Sequence, residues 1–237
     1  MNHIEADPSS SMVPDSVASI LPDSVKATLK YVKKETSTNY LLQRHYENTA
    51  FIAAGLAARV DNHTVPQVQL YFESGLVHDV GKSDPEIFSL IGNGRALSEE
   101  ESSVVQQHPS IGYTVALEHG VHIDIAHVVL YHHVWWDGNG YPSTITPHQN
   151  ISDMVWCVEL ADAIEASMDP NRIYRHPLTP VKMVQDISAG MGTHFHPKLH
   201  HTLHLWYESI QGQTQTDDPS WELFMDTVRS DALKFLL

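Results

Sequence analysis

Residues Gly75 to Lys82 read GLVHDVGK, and residues His132 to Pro142 read HHVWWDGNGYP. In the first stretch His78 and Asp79 stand side by side at the end of an apolar run whose spacing pushes them inward. A buried carboxylate has to be paired, hydrogen-bonded or coordinated. The second stretch adds two adjacent imidazoles, His132 and His133, followed by a turn built from Asp137, Gly138, Asn139 and Gly140. The two stretches are read as parts of one metal site.

Outward from these stretches the apolar spacing is helical almost throughout. It predicts helices near Asp15–Lys34, Thr38–Val60, Pro66–His78, Ser98–His119, Ile123–His133, Ile151–Asp169, Pro180–Met191, Pro197–Ile210 and Pro219–Phe235. Ser98 with Glu101 forms a capping-box pattern at one of these starts. Strand-like alternation, internal repeats and low-complexity tracts are absent from the sequence. The expected fold is all-α, one helical bundle over residues 15–237 with a metal site at its centre, preceded by a disordered Ser- and Pro-rich leader over residues 1–14.

Helical neighbours on one face recur at three, four, seven and eleven residues. By that rule Leu41, His45, Ile52 and Leu56 share a face, as do Val68, Phe72, Gly75 and Asp79, and Val104, His108, Ile111 and Val115. Val128 lies one turn from His132, Val129 one turn from His133, and Ile151, Val155, Val158 and Asp162 form a further stripe. A single histidine on such a stripe is more often a hydrogen-bonded core residue than a ligand, and a single inward aspartate is often half of an ion pair. Seven such groups at once, with few inward Lys or Arg to pair them, are satisfied together by divalent cations. Imidazole and carboxylate without thiolate suit Fe, Mn, Ni, Co or Zn. Seven donors exceed the needs of one ion, so the expected count is two.

The net charge of −15 argues against a binder of DNA or RNA duplexes or of anionic membranes. A small phosphorylated ligand is still allowed, because cations in a cleft outweigh screened distant charges. No apolar run reaches the length of a membrane span and no signal segment opens the chain, so the expected location is cytoplasmic. A homodimer stays open as an assembly. The lone Cys157 is read as a buried small apolar residue. Among His194, His196, His200, His201 and His204, the pair His200 and His204 has a chelating spacing but lacks the acidic context of a zinc helix. His119, His122, His127 and His148 are read as surface or satisfied residues.

The motifs resemble the HD superfamily of metal-dependent phosphohydrolases and, within it, the HD-GYP subgroup, over about Thr38 to Trp206. GLVHDVGK resembles the signature His-Asp segment, QQHPSIGYTV the next helix, HHVWWDGNGYP the subgroup's HHExxDGxGYP, and ELADAIEAS the later metal-binding Asp helix. NRIYRHPLT and THFHPKL resemble the segments that follow. The resemblance implies metal ligands His45, His78, Asp79, His108, His132, His133 and Asp162, with Asp79 bridging two ions, iron first among the candidates. It implies that Lys82 faces the scissile phosphate and that Tyr141, Arg172 and Arg175 contact the nucleotide. The implied activity is signalling-type hydrolysis of a cyclic dinucleotide, chiefly cyclic di-GMP to pGpG and on to GMP, by a hydroxide bridging the metals.

Each role has a plainer reading beside it. Lys82 could satisfy the last carbonyls of a helix, Arg172 and Arg175 could be exposed helix-end charges, and Trp135 and Trp136 are read as packing residues before guanine-stacking ones. Two departures stand out: Val134 replaces the subgroup's Glu after the paired histidines, and Leu41 stands where three-metal members carry a Glu. The competing functions are another HD-type phosphohydrolase of nucleotides or small phosphate esters, and a degenerate nucleotide-sensing module.

Overall fold

A computed structural model describes residues 13–35, 40–60, 63–93, 95–143, 151–172, 176–216 and 218–237. The described elements are α-helical, with no strand among them: α1 Asp15–Ala18, α2 Asp23–Glu35, α3 Tyr40–Ala57, α4 Val65–Val77, a 3-10 turn Val80–Ser83, α5 Pro85–Ile91, α6 Glu99–Val105, α7 His108–Glu118, α8 Ile123–Tyr131, α9 Asp153–Met168, α10 Pro180–Ala189, α11 Leu199–Thr214 and α12 Trp221–Leu236. The all-α expectation holds. Most of the leader lies outside the described residues; of its last two, Val13 is buried and Pro14 precedes α1.

Two of the expected helices are each split by a proline. The stretch Asp15–Lys34 breaks because Pro22 has no N–H for the Ala18 carbonyl and its ring would clash there, so α1 stops at Ala18. Ser98–His119 breaks for the same reason: Pro109 can neither bond nor tolerate the Val105 carbonyl, so α6 ends at Val105 and α7 restarts at His108. The capping box at Ser98 is present, with Glu101 N donating to Ser98 Oγ at 3.2 Å and Ser98 N to Glu101 Oε2 at 2.9 Å. Helix α5, which the spacing does not predict, starts where Asp84 Oδ1 accepts from Glu86 N and Ile87 N at 3.0 and 3.2 Å.

Helix α3 is the hub, with α4, α9, α11 and α12 packed around it. Tyr46, Phe51, Ile52 and Leu56 of α3 are fully buried against Phe72 and Leu76 of α4 and Leu160 and Ile164 of α9. Leu41 departs from its expected face and is 46% exposed, while His45 four residues on is buried. In α7 the inward face is His108, Gly112 and Ala116; Ile111 and Val115 are only half-buried. That face is selected by a close approach: a Cβ on Gly81 would lie 1.9 Å from His108 O and 2.7 Å from Gly112 N. Only a glycine lets the 3-10 turn after Asp79 settle onto the start of α7.

Gly81→Ala is therefore expected to destabilise the fold by about 2–3 kcal/mol, because backbone has to move, and to weaken metal retention. Chemical denaturation would read the first and elemental analysis the second; a variant with wild-type stability contradicts this packing.

Candidate metal centre

Helix ends, not helix faces, supply most of the predicted donors. His78 and His132 are the C-terminal caps of α4 and α8, His108 opens α7, and Asp79 precedes the 3-10 turn. Only His45 and Asp162 lie inside helices, α3 and α9. His78, His108 and His132 are held alike: each Nδ1 lies against the carbonyl three residues back, Gly75 O at 2.7 Å, Val105 O at 2.7 Å and Val129 O at 2.9 Å. A carbonyl only accepts, so Nδ1 carries a proton and donates in all three, and in the neutral ring Nε2 is then left with a bare lone pair. These carbonyls belong to final helical turns, whose C=O groups have no donor within the helix. At Val105 the missing donor is the absent N–H of Pro109.

The lone pairs converge on Asp79, which is fully buried. His108 and His132 Nε2 lie 3.0 and 3.3 Å from Oδ1, and His45 and His78 Nε2 lie 3.2 and 3.4 Å from Oδ2. Asp162 Oδ1 is 3.3 Å from His45 Nε2 and 3.9 Å from His78 Nε2. Among the described residues, two sets bring donor atoms within 4.8 Å of one another: His45, His78 and Asp79, and Asp79, His108, His132 and His133. The structure thus brings the seven predicted donors together, with Asp79 shared by the two sets and Asp162 joined to the first through His45 and His78. On its main-chain side, Asp79 O accepts from Tyr46 Oη at 2.9 Å.

The electrostatics suit a cation. Burial holds His78 below its usual range, His108 down to about 4, and His133 well below, so these rings are neutral. Neutral lone pairs aimed at a carboxylate, and at each other across the 3.4 Å between His108 and His132 Nε2, repel unless a positive charge lies between them. His78 Nε2, Asp79 Oδ1 and His133 Nε2 are buried with no hydrogen-bond partner. Burial alone would raise Asp79, but the Lys82 ammonium, which donates to Oδ2, holds it well below the ordinary carboxylate range. A divalent cation answers all of these features, and the donor set fits one.

The predicted substrate contacts divide. Lys82 borders the centre through Asp79. Tyr141 packs its ring 4.6 Å from His133 and 6.0 Å from His108 between centroids. Arg172 Nη2 lies behind the centre, 3.3 Å from Glu165 Oε2, and Arg175 falls outside the described residues. Trp136 packs against Trp156 and His196, as expected, whereas Trp135 is 37% exposed with its ring over His194. His200 and His204 lie ring to ring, with no third donor clustered on them among the described residues.

Sequence reasoning missed four residues. Glu165 Oε2 accepts from His45 Nδ1 at 2.7 Å, and Asn48 Nδ2 donates to Glu165 Oε1 at 3.3 Å. Glu165 lies one turn after Asp162, a spacing the ELADAIEAS segment displays. Glu159, one turn before Asp162, is buried with neither oxygen hydrogen-bonded and Oε1 3.5 Å from His194 Nε2. Burial lifts its carboxyl well above the usual range. The fourth is Tyr46, whose tyrosine spacing alone gave no sign of its bond to Asp79 O.

The HD domain family model matches residues 42–167, and the chain belongs to that family. A cyclic di-GMP phosphodiesterase of Vibrio cholerae is 30% identical over 69% of this chain and 35% of its own length. One from Thermotoga maritima is 28% identical over 66% and 42%. The chain therefore spans well under half the length of these relatives. Among solved structures, a cyclic GMP-AMP specific phosphodiesterase of V. cholerae superposes with a TM-score of 0.53 at 15% identity, covering 91% of this chain and 59% of that one. The HD domain of a Listeria monocytogenes phosphodiesterase in complex with cyclic di-AMP gives 0.50 at 14% identity, covering 89% and 95%. At those identities the likeness is one of fold. No described helix is long and apolar enough to cross a membrane.

Burial works against a charged His45, but Glu165, with Asp79 and Asp162, outweighs it and lifts the ring from 6.5 to about 9. A raised folded value stabilises the fold fully below about 6.5 and is lost as pH rises through about 9, a contribution on the order of 3 kcal/mol. Chelator-treated protein should therefore lose thermal stability between pH 6.5 and 9, and Glu165→Gln should flatten that limb. A level wild-type profile in circular-dichroism melts across the window contradicts this reading.

Proposed function

We propose that the chain is a metal-dependent phosphodiesterase that hydrolyses a cyclic dinucleotide, cyclic di-GMP first, to linear pGpG and onward to GMP. The carrying observation is Asp79, whose two oxygens each face a different pair of imidazoles. This division supports two divalent ions, one held by His45, His78, Asp79 and Asp162 and the other by Asp79, His108, His132 and His133, with iron the first candidate and Mn, Ni, Co or Zn the others. Support for the substrate comes from the relatives, which are named for cyclic dinucleotides, and from the GYP turn that carries Tyr141, the mark of the HD-GYP subgroup.

When bound, such ions neutralise a phosphodiester and make a water acidic enough to attack it near neutral pH. The protein's own groups do the rest. The capped histidines hold their lone pairs fixed, so little rearrangement accompanies charge development. Lys82, on the open side of Asp79 with its side chain 18% exposed, pairs with a non-bridging phosphoryl oxygen. Tyr141 keeps its phenol proton at any ordinary pH, since burial pushes that group up, and so it offers the nucleotide a hydrogen-bond donor. Arg175 contacts the nucleotide, while Arg172, expected beside it, braces Glu165 behind the centre instead. Cations held by these donors would offset locally the field of a chain with net charge −15 and would let an anionic ligand approach. Val134, buried where the subgroup carries a Glu, favours a second reading as a nucleotide-sensing module; the complete donor set opposes it.

Asp79→Ala is expected to lower cyclic di-GMP turnover at least about a thousandfold, equivalent to about 4 kcal/mol of barrier, in anaerobic assays run with Fe, Mn and Ni in turn. An undiminished rate in that variant contradicts the proposal, and turnover of mononucleotides but not cyclic dinucleotides would replace the substrate.

A further inference from the structure

Behind His45 the hydrogen bonds continue away from the metal centre as far as the last helix. Glu165 uses Oε2 for His45 Nδ1 at 2.7 Å and Oε1 for Asn48 Nδ2 at 3.3 Å. A carboxylate can only accept, so the Asn48 amide has one permitted orientation, nitrogen toward Glu165. Its oxygen then points the opposite way inside a residue that is 2% exposed, and a buried amide oxygen needs a donor. Arg229 of α12 supplies one, Nη2 to Asn48 Oδ1 at 3.0 Å. Arg229 is itself aimed by Glu47, 3.7 Å from its Nε, and by Asp226, 3.5 Å from its Nη1.

We propose that Arg229 is a positioning residue for the metal centre: it fixes the Asn48 amide, which together with Arg172 fixes Glu165, which in turn sets the ring of His45. Helix α12 lies beyond residues 42–167, the part that matches the family model, so the centre depends on a helix that the family pattern does not include. Without the guanidinium, Asn48 gains by turning its oxygen toward a donor, and either its nitrogen leaves Glu165 or its oxygen meets a carboxylate. Glu165 then loses a bond that holds it on His45. Groups that orient a metal-bound imidazole typically change metal affinity ten- to a hundredfold when removed.

The inference rests on the metal reading above, and its test separates the two. Arg59 serves as the control, because from the turn after α3 it also ties that helix to α12, Nη1 to Gly55 O at 3.0 Å and to Asp231 Oδ2 at 2.6 Å, without touching Asn48 or Glu165. Mn²⁺ affinity would be measured by chelator competition for wild type, Arg229→Met, Arg59→Met, Asn48→Ser and the Asn48→Ser/Arg229→Met double variant, with melting temperatures alongside. The expected result is that Arg229→Met weakens Mn²⁺ binding about tenfold or more, while Arg59→Met lowers the melting temperature but keeps affinity within about twofold. In the Asn48→Ser background, Arg229→Met should add less than about twofold, since the link is already cut. Equal losses from Arg59→Met and Arg229→Met, or full additivity of the Asn48 and Arg229 changes, overturn the positioning role. Should Arg229→Met not fold, Asn48→Ser alone decides, with wild-type affinity overturning the role. Failure of wild type to bind Mn²⁺, Fe²⁺, Ni²⁺, Co²⁺ or Zn²⁺ overturns the metal reading itself and this inference with it.

Discussion

A carboxylate with no exposure at the middle of a helical protein is the constraint around which this molecule is arranged. Asp79 is fully buried, and its oxygens are ringed by four imidazole nitrogens at 3.0 to 3.4 Å. Desolvation opposes its charge, yet the Lys82 ammonium keeps it ionised. Three of those imidazoles commit Nδ1–H to a main-chain carbonyl, and with burial holding His78 and His108 neutral their Nε2 atoms bring lone pairs rather than protons. Lys82 supplies one positive charge. The remaining negative charge and the bare lone pairs define a place for cations.

The fold places these donors through defects in its helices. A helix that stops leaves carbonyls in need of donors, and a histidine just past the stop can serve one with Nδ1 while presenting Nε2 to the interior. The same device occurs after α4, α6 and α8, so three chain breaks become three oriented ligands. Pro109 and Gly81 are then functional without touching the centre. One ends α6 so that Val105 O is open to His108, and the other lets the turn after Asp79 press onto α7.

Much of this was legible in the chain. The helical class and the Ser98 cap follow from local spacing, which is what helices obey, whereas the donor set was legible through inward histidines and aspartates taken together with the family resemblance. The faces were less legible. Apolar periodicity runs straight across Pro22 and Pro109, which masked both breaks, and it assigned Leu41, Ile111 and Val115 to the interior although Leu41 is 46% exposed. Least legible were bonds between distant parts of the chain. Glu165 reaches His45 across 120 residues and Arg229 reaches Asn48 across 181; no periodicity encodes such pairs, which arise only when α3, α9 and α12 pack together. Glu159, buried without a hydrogen bond three residues from Asp162, reads in sequence as one more helix-surface acid.

The most direct test of the central claim is anomalous diffraction from crystals of metal-loaded protein, with data collected on both sides of the metal's absorption edge. The account predicts two peaks flanking Asp79, one among His45, His78 and Asp162 and the other among His108, His132 and His133. A single peak that leaves one oxygen of Asp79 unligated, or metal bound only at other residues, would contradict it.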